Sequence, residues 1–174
     1  MNPWHDIKLY PESPEIVPVV TEIPGNSKIK YELEKETGLL IVDRILYSSV
    51  HYPANYGFIP QTYCDDKDPL DILVLSQENF YPMSLCRAKP IGVIRMIDQG
   101  EMDDKIIAVH VDDPQYAHFR DIKEVSSHKI NEITRFFEDY KILEKKSVEI
   151  KNVEGPKSAI DVINESIELY KKTF

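Results

Sequence analysis

The sequence has few cysteines, no long apolar run and too little positive charge for several common functions. Its only two cysteines, Cys64 and Cys86, show no pairing pattern, which favours reduced thiols in a cytosolic protein over a disulfide. No stretch approaches the roughly 20 uninterrupted apolar residues that cross a bilayer. The first residues also lack the basic-then-apolar layout of a secretory signal. We therefore expect a cytoplasmic protein with no membrane partner.

The charge balance argues against a nucleic-acid partner. The formal net charge is -9, whereas a protein that binds a phosphate backbone presents a basic face. No stripe of alternating aromatic and basic residues suggests single-strand binding either. An acidic protein can still bind a small polyanion if divalent cations lie between the two. With 174 residues, 42% hydrophobic and 29% charged, the chain has an ordinary globular composition and the length of a single domain, residues 1–174.

The periodicity of the chain predicts an α+β fold, in which strands come first and helices last. Residues 1–20 carry four prolines and are predicted to be an irregular lead-in. Alternating apolar and polar residues then predict short strands over about 21–111, which we expect to form a closed antiparallel β-barrel of the OB-like kind. The strand candidates are 28–34, 39–46, 71–75, 84–88, 91–97 and 105–111.

The last part of the chain, about 126–174, is predicted to form two helices packed on the barrel. Helical spacing between residues 130 and 143 gives an apolar face that includes Tyr140 and Leu143. Ser126 or Ser127 is the expected N-cap of this helix. The second helix is predicted to begin near Ser158, and we expect it to bury Ile160, Ile163, Ile167, Tyr170 and Phe174.

Two acidic clusters carry the strongest chemical signal. The first is Asp65-Asp66-Lys67-Asp68-Pro69-Leu70-Asp71, where neighbouring carboxylates repel one another unless cations are bound. Such oxygen-rich clusters suit hard divalent ions, and Mg²⁺ prefers a few carboxylates plus water. The acidic spacing does not fit an EF-hand loop. Zinc is also disfavoured, because the five histidines are scattered and form no paired motif.

The second acidic cluster follows an apolar strand and runs from Asp98 to Lys105. Gly100 allows a tight turn, which brings Asp98 and Asp103 toward a common point. In an unrelated protein either cluster would be an ordinary solvated loop. Two clusters at strand ends, on a sheet that also presents Lys30, Glu32 and Arg44, instead indicate one metal-dependent site.

The clusters belong to an ordered series of motifs that spans about residues 21–144. The series is Glu22-Ile23-Pro24, Lys30-Tyr31-Glu32, Val42-Asp43-Arg44, Tyr52-Pro53-x-Asn55-Tyr56-Gly57, Asp66-x-Asp68-Pro69-Leu70-Asp71, Pro90-Ile91-Gly92, Asp98-x4-Asp103-x-Lys105 and Phe136-Phe137-Glu138-x-Tyr140-Lys141. This series resembles the soluble inorganic pyrophosphatases of the small barrel type. The resemblance implies hydrolysis of inorganic pyrophosphate to two phosphates.

The resemblance also implies a role for each matching residue. Asp66, Asp71, Asp98, Asp103 and Glu32 would hold Mg²⁺, with Mn²⁺ or another divalent ion as the alternative. Asp68 would accept a proton from the attacking water as general base. The expected phosphate-binding residues are Lys30, Arg44, Tyr56, Lys105, Tyr140 and Lys141, of which Lys30, Arg44, Tyr56 and Lys105 are also expected to be catalytic. Glu22 and Tyr52 would contact these residues rather than the metal ions or the substrate.

Electrostatics supports that assignment independently of the resemblance. The seven carboxylates that it assigns outnumber the four cationic side chains and leave a bare site near -3. Pyrophosphate adds roughly -3 to -4, so it would be repelled without about three or four Mg²⁺ ions. One residue departs from the family pattern inside the first cluster. Lys67 replaces a small residue such as glycine, and a left-handed backbone at this position would cost about 1 kcal/mol.

Two other functions remain open from the sequence. A different metal-dependent phosphohydrolase could use the same ions on a nucleotide or phosphate ester, although no nucleobase site is legible. The second alternative is not an enzyme but a barrel that binds divalent ions without catalysing a reaction. Members of the resembled family form hexamers or dimers, and the chain length favours a homohexamer.

Overall fold

The computed structural model describes all 174 residues as nine strands and three α-helices. The strands are β1 (Val17–Ile23), β2 (Ile29–Leu33), β3 (Leu40–Ile45), β4 (Asn55–Phe58), β5 (Asp71–Leu75), β6 (Leu85–Asp98), β7 (Glu101–Met102), β8 (Lys105–His110) and β9 (Val148–Glu154). The helices are α1 (Pro3–Asp6), α2 (Ser127–Asp139) and α3 (Pro156–Thr173), and two 3₁₀ turns span Ile122–Glu124 and Ile142–Glu144. The α+β class is confirmed.

Seven strands form one mixed sheet in the order β1-β4-β5-β8-β6-β7, with β9 added beside β6. Strand β1 pairs with β4 and also with β6. Strands β2 and β3 form a separate two-stranded sheet. The prediction of an all-antiparallel arrangement was wrong in one place, because β5 and β8 run parallel. Alternation of apolar residues shows which face a side chain takes but not which strand lies beside it or in which direction.

Several predicted boundaries also differ from the structure. The lead-in of residues 1–20 is not wholly irregular, since it contains α1 and the start of β1. Two predicted strands, 84–88 and 91–97, are one long strand, β6, which continues through Pro90. The predicted helical part contains β9, whose alternating charges gave no clear apolar face. The second helix begins at Pro156 rather than Ser158, because proline is well suited to the first helical position.

The first predicted helix has the expected N-cap but ends early. The Ser126 hydroxyl accepts a hydrogen bond from the backbone N–H of Lys129 at 3.2 Å. Helix α2 ends at Asp139, and the chain continues into a 3₁₀ turn, so Leu143 is exposed instead of continuing the buried stripe. Phe174 is likewise exposed, at the very end of α3. Helix ends commonly tighten in this way, which side-chain periodicity does not reveal.

The core lies on both faces of the main sheet. Leu73 and Leu75 of β5 pack in one apolar cluster with Phe136 and Phe137 of α2. Residues on the opposite face of β5, such as Ile72, pack in a second cluster with residues of α3. Burial on both faces explains why β5 is a continuous apolar run after Asp71. The ends of these buried strands are therefore held rigidly, and the acidic clusters lie at those ends.

Candidate active site

A cavity of about 210 Å³ opens where the acidic clusters meet. All the residues predicted for the site line it except Arg44 and Tyr52. They are Glu22, Lys30, Glu32, Tyr56, Asp66, Asp68, Asp71, Asp98, Asp103, Lys105, Tyr140 and Lys141. The two acidic clusters, about thirty residues apart in the sequence, thus belong to one site.

The parallel pairing of β5 with β8 brings the two acidic clusters together. Asp71, the first residue of β5, lies opposite Lys105, the first residue of β8. The two loops that lead into these strands therefore end at the same edge of the sheet, and they carry Asp66 and Asp103. Asp98 joins them because β6 runs antiparallel to β8 and ends at this edge.

The turn between β6 and β8 has the geometry that the sequence predicted. Gln99 and Gly100 both have positive φ, 51° and 86°, and they connect β6 to the short strand β7. Left-handed backbone at both central positions is the requirement of a tight hairpin turn, and glycine adopts it without strain. The turn returns the chain so that Asp98 and Asp103 line the same cavity.

Four lysines pair with carboxylates of the cavity. Lys30 Nζ lies 3.0 Å from Glu32 Oε2, and the other three lysines contact aspartates. The buried Lys105 Nζ lies between Asp71 Oδ2 and Asp103 Oδ1, the latter at 2.6 Å. Lys141 Nζ contacts Asp98 Oδ2, and Lys35 Nζ contacts Asp68 Oδ1. With the side chains in these positions, no three acidic, histidine or cysteine groups converge closely enough to coordinate one ion. The lysines thus compensate part of the negative charge.

The remaining negative charge shows in the pKa values of the acidic groups. Burial, together with the Asp71 carboxylate, raises the pKa of Glu22 to about 8. Burial also raises the pKa of Asp66 to about 7, and the carboxylates of Asp71 and Asp103 add to that effect. Asp66 has no lysine or arginine partner. Burial first, and neighbouring carboxylates second, therefore favour the protonated forms of Glu22 and Asp66 in the absence of added cations.

This donor set fits hard divalent cations. Its free groups are carboxylate oxygens, which Mg²⁺ and Mn²⁺ prefer, and no imidazole or thiolate lines the cavity. The raised pKa of Asp66 marks a carboxyl group that an added cation would return to its ionised form. Lys105 and Lys141 are the groups that such cations would displace from the carboxylates.

The tyrosines of the site have buried rings and lie around Lys105. Tyr56 and Tyr140 are both buried and line the cavity, and burial raises the pKa of each hydroxyl well above its ordinary value. The Lys105 Nζ lies 5.7 Å from the centre of the Tyr56 ring. Tyr52 packs behind them, edge-on to Tyr56 at 5.3 Å between ring centres. Tyr52 thus lies behind the tyrosines that line the cavity, and its supporting role stays a prediction.

Arg44 does not line the cavity, and its role as a phosphate-binding residue stays a prediction. Its guanidinium is engaged by two carboxylates, Asp43 at 2.5 Å and Glu144 at 3.0 Å. Glu144 belongs to the 3₁₀ turn after α2, a hundred residues away in the sequence. The periodicity of β3 shows that Arg44 shares a strand with exposed residues but does not show this distant partner.

Lys67 has a left-handed backbone. This conformation was considered in the sequence analysis because a small residue such as glycine usually occupies this place in the motif. The φ of Lys67 is 68°, in the region where a side chain costs about 1–2 kcal/mol and glycine costs nothing. The strained residue lies between Asp66 and Asp68, and hydrogen bonds within the loop keep it in this conformation. The Lys67 N–H donates to Cys64 O at 3.0 Å, and the Asp68 N–H donates to Asp66 Oδ1 at 3.1 Å.

Two residues of the cavity escaped the sequence analysis. Trp4 and Lys35 both line it, although neither belongs to an acidic motif. Trp4 comes from α1, inside the segment predicted to be irregular. Lys35 follows β2 at the turn of the hairpin. Lys35 stands two residues after Leu33, at the end of a strand that carries two predicted site residues. That position was visible in the sequence, but no periodicity indicated that Lys35 contacts Asp68.

The fold and the cavity together define a class of protein. Carboxylates in excess of lysines, at the rigid ends of buried strands, form a site suited to divalent cations and to a phosphate-rich anion that such cations neutralise. The class is that of enzymes which act on phosphate groups with the help of divalent ions.

Comparison with known proteins identifies the family within that class. The sequence model of the family described as inorganic pyrophosphatase matches residues 19–171. Soluble inorganic pyrophosphatase 2 of Chlamydomonas reinhardtii is 54% identical over 99% of this chain and 90% of its own length. The inorganic pyrophosphatase structure from Thermus thermophilus has a TM-score of 0.94 at 34% identity, covering 98% of this chain and 99% of the other. The chain belongs to the inorganic pyrophosphatase family.

Other relatives agree with this placement. Soluble inorganic pyrophosphatase 1 of Arabidopsis thaliana is 56% identical over 97% of this chain and 80% of its own length. The pyrophosphatase structure from Helicobacter pylori superposes with a TM-score of 0.91 at 43% identity, covering 95% of this chain and 99% of the other. None of the helices of this chain has both the length and the apolar character needed to cross a membrane.

Proposed function

We propose that this protein hydrolyses inorganic pyrophosphate to two phosphate ions in the cavity described above. The observation that carries the proposal is the meeting of carboxylates from four chain segments with four lysines in one cavity, in a chain of the inorganic pyrophosphatase family. Relatives at 54–56% identity are named soluble inorganic pyrophosphatases. A cavity of about 210 Å³ suits a small anion of this kind.

The proposal assigns divalent ions, Mg²⁺ in the first place, to the carboxylates. Asp66, Asp71, Asp98 and Asp103 would hold them directly, and Glu32, which lines the same cavity, would contribute from β2. When bound, such ions neutralise the phosphate oxygens and lower the pKa of a water molecule toward neutrality. Three or four divalent ions would balance the net negative charge of the site together with the negative charge of pyrophosphate.

The chain's own residues bind the substrate and move the proton. Asp68 accepts a proton from the water whose oxygen attacks one phosphorus atom. The bond from that phosphorus to the bridging oxygen breaks, and the bridging oxygen leaves with the second phosphate. Lys30, Lys105 and Lys141 neutralise charge on the phosphate oxygens, and the hydroxyls of Tyr56 and Tyr140 donate hydrogen bonds to them. Arg44 can join this set through its terminal Nη2 group, because Glu144 engages only Nε and Asp43 only Nη1.

The proposal includes a closed barrel as the frame of the site. It is supported by the pairing of β1 with both β4 and β6, so that each strand of the series β1, β4, β5, β8 and β6 has two neighbours within the series. A closed ring keeps the strand ends that carry Asp71 and Lys105 in fixed positions. We also propose a single domain of residues 1–174, a homohexamer and a cytoplasmic location.

Phosphate release from pyrophosphate tests the function. We expect rapid release with Mg²⁺, none with EDTA and none from Asp71→Ala. Asp68→Asn should still be stabilised by Mg²⁺ but lose most turnover near neutral pH, because it lacks the proton acceptor. No release from folded, Mg²⁺-loaded wild type would overturn the proposal. Faster turnover of a nucleotide than of pyrophosphate would assign the site to another phosphohydrolase.

A further inference from the structure

Lys35 contacts the loop that carries the proposed general base. Its ammonium group contacts Asp68 Oδ1 and donates a hydrogen bond to the carbonyl oxygen of Lys67 at 3.1 Å. No other lysine, arginine or histidine pairs with the Asp68 carboxylate. One side chain therefore holds both the strained residue of the loop and the residue that follows it.

The N-terminal segment fixes Lys35 from the other side. The Asn2 side-chain amide donates to the backbone carbonyl of Lys35 at 2.7 Å. The Lys35 Nζ lies 5.6 Å from the centre of the Trp4 ring, within the range of a cation–π contact. Trp4 is only 3% exposed, and its indole N–H donates to Thr62 O at 2.8 Å, so the ring is itself immobile. Lys35 is thus held between a rigid ring and the acidic loop.

An ordinary surface ion pair would not have this arrangement. The side chains of Lys35 and Asp68 are each 43% exposed, and such a pair by itself contributes little to stability. Here the same ammonium also donates to a backbone carbonyl and lies against an aromatic ring, and the backbone of Lys35 is held by Asn2, the N-cap of α1. These contacts restrict where the Asp68 carboxylate can lie more than they stabilise the fold.

We propose that Lys35 is a positioning residue for Asp68, held in place by Trp4 and by the N-terminal segment. This inference rests on the proposed function, because it acts through the proton transfer assigned to Asp68. In this proposal Lys35 does not itself bind pyrophosphate, because its ammonium group is engaged by Asp68 and by the carbonyl oxygen of Lys67. Its loss should therefore lower kcat while leaving KM nearly unchanged. We expect a decrease in kcat of about fivefold, which corresponds to the roughly 1 kcal/mol upper value for an exposed pair.

The test compares Lys35→Met with two control variants in the phosphate-release assay. Lys35→Arg keeps the charge and should restore most of kcat. Lys151→Met removes a lysine of similar exposure, 45%, that pairs with Glu149 on β9, away from the cavity. It should leave kcat and KM at wild-type values. An unchanged kcat in Lys35→Met, or a rise in KM alone, would overturn the positioning role.

The intrinsic fluorescence of Trp4 gives a readout that does not depend on turnover. Trp4 is the only tryptophan of the chain, so its emission reports the Lys35 contact directly. Lys35→Met should change this emission, whereas Lys151→Met should not. Identical emission from the wild type and Lys35→Met would contradict the contact on which the inference depends. An inactive wild type overturns both proposals, but normal wild-type activity with normal Lys35→Met activity overturns only this one.

Discussion

Replacement of Lys105 by methionine removes the only positive charge between Asp71 and Asp103. The lysine is 2% exposed, and its Nζ lies 2.6 Å from Asp103 Oδ1 and in contact with Asp71 Oδ2. Burial acts to lower the pKa of Lys105, but the two carboxylates outweigh it and raise the pKa well above its ordinary value. Methionine fills a similar volume without the charge.

The expected loss of stability follows from the two carboxylates that remain. Removing one partner of a buried ion pair typically costs about 3–5 kcal/mol, because the other charge stays buried and uncompensated. This is a large fraction of the roughly 5–15 kcal/mol by which a typical domain is stable. We therefore expect Lys105→Met to lose about 3–5 kcal/mol of unfolding free energy in EDTA.

Mg²⁺ should offset most of that loss. An ion bound at Asp71 and Asp103 supplies the missing charge, and ligand at about 100 times its Kd stabilises the folded state by roughly 2.7 kcal/mol. In the wild type the ion must first displace Lys105, so its net effect is smaller. The stability difference between variant and wild type should therefore shrink in Mg²⁺. Turnover should stay low, because the phosphate oxygens still lack the lysine.

Urea unfolding in EDTA and in Mg²⁺ measures both effects, with Lys151→Met as the control that should change stability by less than about 0.5 kcal/mol. A Lys105→Met variant as stable as the wild type in EDTA would refute the account of the buried charge. A stability difference that is equally large in Mg²⁺ would refute the claim that Lys105 and a divalent ion compensate the same carboxylates.

The other predictions concern pH and the strained loop. Glu22 has a folded pKa of about 8 against an ordinary 4.5, so the folded state holds the extra proton between these values. Without divalent ions, the unfolding free energy should fall as pH rises through this window, by up to about 1.4 kcal/mol per pH unit from this group. Urea titrations at several pH values measure this dependence, and Glu22→Gln should flatten it. An unchanged pH dependence in Glu22→Gln would contradict the assignment. Lys67→Gly relieves left-handed strain of about 1–2 kcal/mol but adds unfolded-state entropy worth about 0.5–1 kcal/mol. It should raise the unfolding free energy by about 0.5 kcal/mol, and a clear decrease would show that the Lys67 side chain stabilises the loop.

The sequence predicted much of the site because its chemistry is local. Asp66, Asp68 and Asp71 are close neighbours in one loop, and Asp98 and Asp103 flank one turn, so their spacing alone indicated two acidic clusters. For Lys67 the motif gave only a condition, a cost if its φ were positive, and the structure shows that its φ is positive. Strands with a strict alternation, such as β2, and the strand β5 were located to within a residue or so, since their apolar period reflects burial on a sheet.

Other features depended on partners far away in the chain. The parallel pairing that puts Asp71 beside Lys105 is invisible to periodicity, which carries no information on strand direction. Arg44 matched its motif but is held by Glu144, a hundred residues away. Nothing in the sequence placed Lys35 beside Asp68, and its contacts with Trp4 and Asp68 exist only after α1 packs against the hairpin. The sequence by itself determined the acidic groups of the two clusters, because they lie next to one another in local motifs. The tertiary structure alone decided which of them touch, because long-range packing sets those distances.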